Sequence, residues 1–290
     1  MYSPFLRRRP SAVKAPVVVR QVWSANLDYE FSLIREIVDR YPYISMDTEF
    51  PGVVFSHNHH SSNPGDHYRA LKSNVDALKL IQVGLTLSDA AGNLPDLGTG
   101  GGRRFIWEFN FSDFDETVDP HAASSIDLLR HQGFDFGASR RHGAAVSRFA
   151  ELMMSSGLVC NDSVTYVTFH GGYDFGYLVK ALIGKSLPDS IEEFKELMRI
   201  LFGENVYDVK HLMRACPGLH GGLERISQRL GIGRVAGKSH QAGSDSLLTW
   251  HAFEKIKDNY FAEKAEESKN NDKVNVLEQF AGVLHGLGTP

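Results

Sequence analysis

The chain has only two cysteines in 290 residues, Cys160 and Cys216. They lack metal-ligand spacing and are too few for a disulfide-built scaffold, so they read as reduced thiols of an intracellular protein. No apolar run approaches the ~18 residues of a membrane span. Arg7-Arg8-Arg9 is not followed by the apolar core of a secretory signal. A surplus of positive charge is also missing: 31 Lys and Arg face 35 Asp and Glu, a net of −4. That excludes a protein that coats duplex nucleic acid through a global basic field. It leaves room for an enzyme that admits one strand into a local groove where metal ions supply the positive charge. The glycine-rich stretch Gly92–Gly102 lacks the G-x-x-x-x-G-K-[ST] pattern, and no helix follows it. It reads as a long, flexible hairpin loop rather than a phosphate cradle.

The length suffices for a full core. Residues 1–17 read as a flexible basic tail and 18–288 as a single domain, because no linker interrupts the chain before a charged stretch at about 263–273. The apolar segment Val276–Leu287 is expected to fold back on the body. An edge strand is expected at Val17–Val19. A helix follows at 27–40, with Asn26 as its cap. Strands are expected at Tyr43–Phe50, Leu78–Leu87 and Arg104–Phe109, with a short helix at Tyr68–Val75 between the first two. Helices follow at Ser124–His131 and Arg140–Ser156. Then come a buried strand at Val164–Phe169, helices at Gly172–Ile183 and Ile191–Leu201, and a strand at Val206–Val209. Helices at Leu223–Leu230 and Ser244–Ile256 end the series. This order implies an α/β fold whose mixed sheet has an antiparallel half, the three successive strands, and a parallel half, flanked by helices.

The chemistry starts at Ile44-Ser45-Met46-Asp47-Thr48-Glu49-Phe50. Side chains at i and i+2 of a strand share a face, so Asp47 and Glu49 aim two carboxylates at one place. Alone, this reads as an exposed acidic strand; if the face is buried, divalent cations would offset the repulsion. Asp174 stands just past a predicted strand end, where ligand sites of open α/β sheets lie. Asp245 stands in the first turn of the last helix, where Ser244 is a candidate cap, and His240 precedes it on a loop. Each of these has an ordinary structural reading. Together they form an ordered set: D-x-E on an early strand, His170 four residues before Asp174, and His240 five residues before Asp245. His57, His59 and His60 lie in a polar loop without further ligands and are not read as a zinc site. Arg69, Lys72 and Lys79 are candidates to line a nucleic-acid path, and Phe50, Phe55 and Tyr173 to stack on a base. Asp208 is a fifth acid near a strand end, read as structural or as a support behind the site acids.

The ordered set resembles the DEDD exonuclease superfamily, in its branch with histidine before the last aspartate. The longer stretches Asp47-Thr48-Glu49-Phe50-Pro51-Gly52-Val53-Val54, 74–86, 162–184, Tyr207-Asp208-Val209-Lys210 and 242–249 are similar to the deadenylase subunit of the Ccr–Not complex, over about Val18 to Gly288. Gly172 stands where serine is expected, and the loops 56–67 and 92–102 are unusual. The resemblance implies a ribonuclease H-like fold and a metal-dependent 3′–5′ exoribonuclease. Its substrate would be the 3′ end of single-stranded poly(A) RNA, with release of 5′-AMP. Implied site residues are Asp47, Glu49, Asp174 and Asp245 as ligands of two divalent ions, Mg²⁺ or alternatively Mn²⁺. Asp47 would bridge, Glu49 and Asp245 would complete one site, and Asp174 would serve the other. His240 would be the general base, since an imidazole with an ordinary pKa of ~6.5 is suited to that work. Implied partners are the Ccr–Not scaffold and a second nuclease. The implied location is cytoplasmic, extending to the nucleus and processing bodies. A broader oligonucleotide exonuclease and an inactive bridging subunit are the alternatives.

Overall fold

The structure is a computed structural model and describes residues 15–55, 63–261 and 276–288. The expectations for Arg7–Arg9, for His57, His59 and His60, and for the 263–273 linker lie outside the described residues. Among the described residues six strands form one sheet: β1 (Val17–Val22), β2 (Tyr43–Glu49), β3 (Gln82–Ser88), β4 (Arg104–Asn110), β5 (Thr165–Thr168) and β6 (Val206–Asp208), in the order β1-β4-β3-β2-β5-β6. β2, β3 and β4 are antiparallel neighbours, and β5 and β6 run parallel to β2. The expected mixed sheet is therefore present. The edge strand is longer than Val17–Val19 and pairs in parallel with β4, so the strand carrying the acids is second in the chain.

The helices are α1 (Leu27–Ile37), α2 (Pro64–Ala77), α3 (Ala123–His131), α4 (Phe136–His142), α5 (Val146–Met154), α6 (Gly172–Ile183), α7 (Ile191–Phe202), α8 (Val209–Leu212), α9 (Leu223–Arg229) and α10 (Ala242–Ile256). No helix among the described residues is long and apolar enough to cross a membrane. Alternation along β2 sorts its side chains into two layers. Ile44 and Met46 enter the core built with Phe31, Val75, Phe149 and Phe175 of α1, α2, α5 and α6. Tyr43 packs into the other core, with Leu212, Ile226 and Trp250 of α8, α9 and α10. The period of two then turns Asp47 and Glu49 toward the α10 layer and Thr48 toward the α6 layer.

Where local expectation fails, a long-range partner explains it. The expected helix Arg140–Ser156 breaks because Ala144 pairs beside Phe111 and donates its N–H to the Asn110 carbonyl at 2.9 Å. A Cβ at Gly143 would sit 2.5 Å from the Phe111 backbone carbon, so the chain passes there only without a side chain. Asn26 does not cap α1. Its Oδ1 accepts from the Trp23 N–H at 2.7 Å, closing the turn after β1. Leu78–Ile81 precedes β3 as a non-strand approach. α2 starts earlier than Tyr68, at Pro64, capped by Asn63. In the C-terminal segment Leu277, Leu284 and Leu287 are buried, and Val283 bridges to Tyr207 of β6. The 92–102 loop is a β3–β4 hairpin connection whose turns are tied by Asp89 and Asp96 to backbone N–H groups.

Candidate active site

β2, β5 and α10 bring the acids together. β2 and β5 are parallel neighbours, so their carboxyl ends lie side by side. β5 leads through His170-Gly171 into α6, which carries Asp174 in its first turn. Thr48 donates its hydroxyl to Asp174 Oδ1 at 2.6 Å, so the residue between the two β2 acids fixes the third. Asp174 is only 7% exposed.

The fourth acid arrives from the opposite layer. α10 begins against β3 at Gly84, the residue paired with Asp47. A Cβ at Gly84 would lie 1.9 Å from the Ala242 carbonyl oxygen, so any larger residue would push α10 away. The free N–H groups of a helix start need acceptors. Ser244 does not provide the expected cap. The Ala242 N–H reaches Gln82 Oε1 at 3.4 Å and the Gly243 N–H reaches Glu108 Oε2 at 2.9 Å. Side chains of the sheet thus cap α10, and they set where Asp245 stands. Glu108 is buried and also accepts from Gln21 at 2.8 Å and Gln82 at 3.3 Å.

One ligand atom each of Glu49, His240 and Asp245 lies within 4.8 Å of the others. The His240 side chain is exposed, while its backbone N–H donates to Asp245 Oδ2 at 2.8 Å. Desolvation first, then repulsion from Asp174, Asp245 and Glu49, holds Asp47 well above the usual carboxylate range. Glu49 is raised for the same reasons, with Asp245, Asp174 and Glu108 as the repelling charges. Burial pushes Asp174 up to about 7 against the Thr48 hydrogen bond. Burial also raises Asp245, opposed by Arg234. Clustered oxygen donors whose charge is poorly compensated suit hard divalent cations, Mg²⁺ or Mn²⁺, and the imidazole beside them is compatible with either. All five residues singled out in the sequence therefore meet at the carboxyl end of β2.

A profile of the CAF1 family ribonucleases matches residues 22–151 and 145–253, most of the chain. The chain belongs to the CAF1 family. It is 51% identical over 278 residues to CCR4-associated factor 1 homolog 10 of Arabidopsis thaliana, covering 94% of this chain and 93% of that protein. It is 45% identical over 244 residues to the poly(A) ribonuclease pop2 of Schizosaccharomyces pombe, covering 84% of this chain and 70% of that one. Among solved structures, S. pombe Pop2p in its Mg²⁺- and Mn²⁺-bound form superposes with a TM-score of 0.81 at 41% identity, covering 93% of this chain and 99% of that one. Yeast CAF1 co-crystallised with the NOT1 MIF4G domain gives 0.72 at 31% identity, over 92% and 96%. The ribonuclease H-like fold expected of the motifs is thus the fold of this CAF1 chain.

Some residues that build the site gave no sequence signal, Arg234 foremost. Arg234 pairs with Asp245 Oδ1 at 2.6 Å. Asp208, fully buried, accepts from the N–H groups of His170, Gly171, Lys210 and His285 at 2.8, 3.2, 2.9 and 2.9 Å. It ties the turn ahead of Asp174 to the C-terminal segment. The three residues read as candidates for a nucleic-acid path form ion pairs near the surface. Arg69 pairs with Asp66, Lys72 with Asp76 at 2.8 Å, and Lys79 with Asp119 at 2.9 Å. Phe50 stacks on Tyr173 with centroids 5.1 Å apart, while Phe55 is exposed.

Proposed function

We propose that this CAF1 chain is a divalent-metal-dependent 3′–5′ exoribonuclease that shortens poly(A) tails in the cytoplasm, acting within a Ccr–Not-type assembly. The observation that carries this reading is the convergence of Asp47, Glu49, Asp174 and Asp245 beside the exposed His240. The solved Pop2p relative is described as binding Mg²⁺ and Mn²⁺, and the pop2 relative is named a poly(A) ribonuclease. The partner reading rests on the relatives named as CCR4-associated and as co-crystallised with NOT1.

Asp47, Glu49, Asp174 and Asp245 would hold the cations. A bound pair of divalent ions supplies Lewis acidity at the scissile phosphate and lowers the pKa of the attacking water. The chain's own groups do the rest. A ring nitrogen of His240, on the solvent side, takes the proton of that water. Water oxygen bonds to phosphorus, the bond to the 3′ oxygen of the preceding nucleotide breaks, and the last nucleotide leaves as 5′-AMP. Thr48, Glu108 and Gln82 keep the carboxylates aimed while charge builds on the phosphate.

The test is trimming of labelled RNA ending in A, U or C, and of DNA, by purified protein with Mg²⁺ or Mn²⁺. Stepwise release of 5′-AMP, fastest on A-ended RNA and abolished in Asp47→Ala, is expected. Unchanged activity in Asp47→Ala overturns the site, and equal rates on all four ends overturn the poly(A) assignment.

A further inference from the structure

Among the described residues, Arg234 is the one cationic side chain that forms an ion pair with an acid of the cluster. It is 15% exposed and lies on the segment between α9 and α10. Its guanidinium is shared among four acceptors. Asp245 Oδ1 accepts at 2.6 Å and Glu224 Oε1, on α9, at 2.7 Å. Ser244 Oγ accepts at 2.5 Å and the Lys238 carbonyl at 3.2 Å. Ser244 in turn donates to the Ala236 carbonyl. One planar group therefore ties α9, the 234–241 loop and the first turn of α10 into a single unit.

That loop carries His240 in a left-handed backbone, φ 57°, which a residue with a side chain holds only when its surroundings compel it. Two ties compel it on either side: the Lys238 N–H on Gln241 Oε1 at 2.9 Å, and the His240 N–H on Asp245 Oδ2 at 2.8 Å. The second depends on where Asp245 points. Arg234 holds the other oxygen of that same carboxylate. The contacts to Ser244, Lys238 and Glu224 fix the plane of the guanidinium, so the one nitrogen that meets Asp245 Oδ1 is set in direction as well as in distance, which a point charge on a flexible stem does not achieve.

We propose that Arg234 is a positioning residue of the nuclease. It sets the orientation of Asp245 for cation binding and, through Asp245 and Lys238, the place of His240. The two tasks separate by chemistry. Orienting Asp245 needs a cation nearby. Holding Ser244, Lys238, Glu224 and Asp245 together needs the fork. The inference rests on the proposed nuclease reading of the site.

The experiment measures Mn²⁺ affinity by calorimetry, and separately kcat and KM on a labelled oligoadenylate. The proteins are the parent, Arg234→Gln, Arg234→Lys and Asp47→Ala, each checked for a cooperative thermal transition. Partners that orient a ligand typically contribute about 10- to 100-fold to metal affinity or activity. Arg234→Gln is accordingly expected to weaken Mn²⁺ binding about tenfold and to lower kcat about tenfold or more. Arg234→Lys is expected to regain most of the Mn²⁺ affinity but not kcat. KM should stay close to the parent's in both. Parental Mn²⁺ affinity and kcat in Arg234→Gln overturn the inference. So does a change confined to KM, which would make Arg234 a contact of the RNA. Should the parent bind Mn²⁺ no better than Asp47→Ala, the nuclease centre itself fails, a result distinct from either.

Discussion

His170 and His240 each stand a few residues ahead of an acid of the cluster, and each holds a left-handed backbone, with φ of 62° and 57°. Each donates its N–H to a carboxylate at 2.8 Å. The carboxylates differ. His170 binds Asp208, which is fully buried and engaged by three further N–H groups. Its ring turns to His285, edge to face, with centroids 5.0 Å apart, and burial pushes its pKa down. His240 binds Asp245, itself part of the acid cluster, and its ring stays exposed beside Glu49. The same turn thus serves as a structural knot in one place and leaves an exposed imidazole beside the acids in the other, where the proposed mechanism uses it as the base. A histidine preceding an acid in sequence does not announce its task; the carboxylate its backbone finds decides it.

The largest expected effect breaks the comparison at the base. Removing a positioned general base typically costs about 10²- to 10⁴-fold in rate. His240→Asn, whose side chain tolerates a left-handed backbone, should lose kcat on oligoadenylate on that scale. His170→Asn should keep a kcat close to the parent's. Equal losses in the two variants would dissolve the distinction.

The acids that follow the two histidines differ too, and pH reads this out. Asp245 has Arg234, whereas Asp174 has the neutral Thr48 hydroxyl and is pushed up to about 7. In the fold, Asp174 therefore favours its protonated form. Its contribution to stability is complete below about pH 4, the unfolded carboxylate range, and is lost as pH rises through about 7. Without metal, the loss across that window should reach at most about 4 kcal/mol. With saturating Mg²⁺ or Mn²⁺ the trend should reverse, because carboxylate ligands bind only when deprotonated. Thermal melts in chelator and in metal from about pH 5 to about pH 8 measure both slopes. A metal-free protein that gains stability over this range contradicts the burial argument for Asp174.

A smaller effect is expected at the knot. Asp208→Asn keeps the shape but loses the charge that four N–H groups share, a change of about 3 kcal/mol by the usual worth of charge-assisted bonds. Urea unfolding should show it, with kcat per folded molecule changed far less than in His240→Asn. The smallest change is His170→Gly, which relieves a left-handed backbone worth about 1–2 kcal/mol but gives up the His285 contact. A net shift under about 1 kcal/mol is expected. A loss of several kcal/mol would mean that the ring, not the backbone, holds the knot.

Much of this site was legible because it is local. The period of two along Tyr43–Glu49 predicts that Asp47 and Glu49 share a face, and helix and strand signals place Asp174 and Asp245 at element starts. The order of the acids supplied the rest. What stayed hidden is what distant segments do to one another. Ser244 looks like a cap, but Gln82 and Glu108, far along the chain, satisfy the helix start instead. Arg234 has no periodic relation to Asp245, and an arginine in a loop carries no signal of its partner. Gly84 reads as a weak point in a strand until the Ala242 carbonyl is seen against it. The expected helix across 140–156 fails for a similar reason, since the pull of β4 on Ala144 outweighs helix propensity.

The central claim is that four carboxylates from two layers form one cation centre at the carboxyl end of β2. Anomalous diffraction from crystals soaked in Mn²⁺ tests it most directly. The account predicts two peaks with Asp47 touching both, Glu49 and Asp245 on one and Asp174 on the other. A single peak that leaves Asp174 without an ion, or no peak among these residues at saturating Mn²⁺, would contradict it.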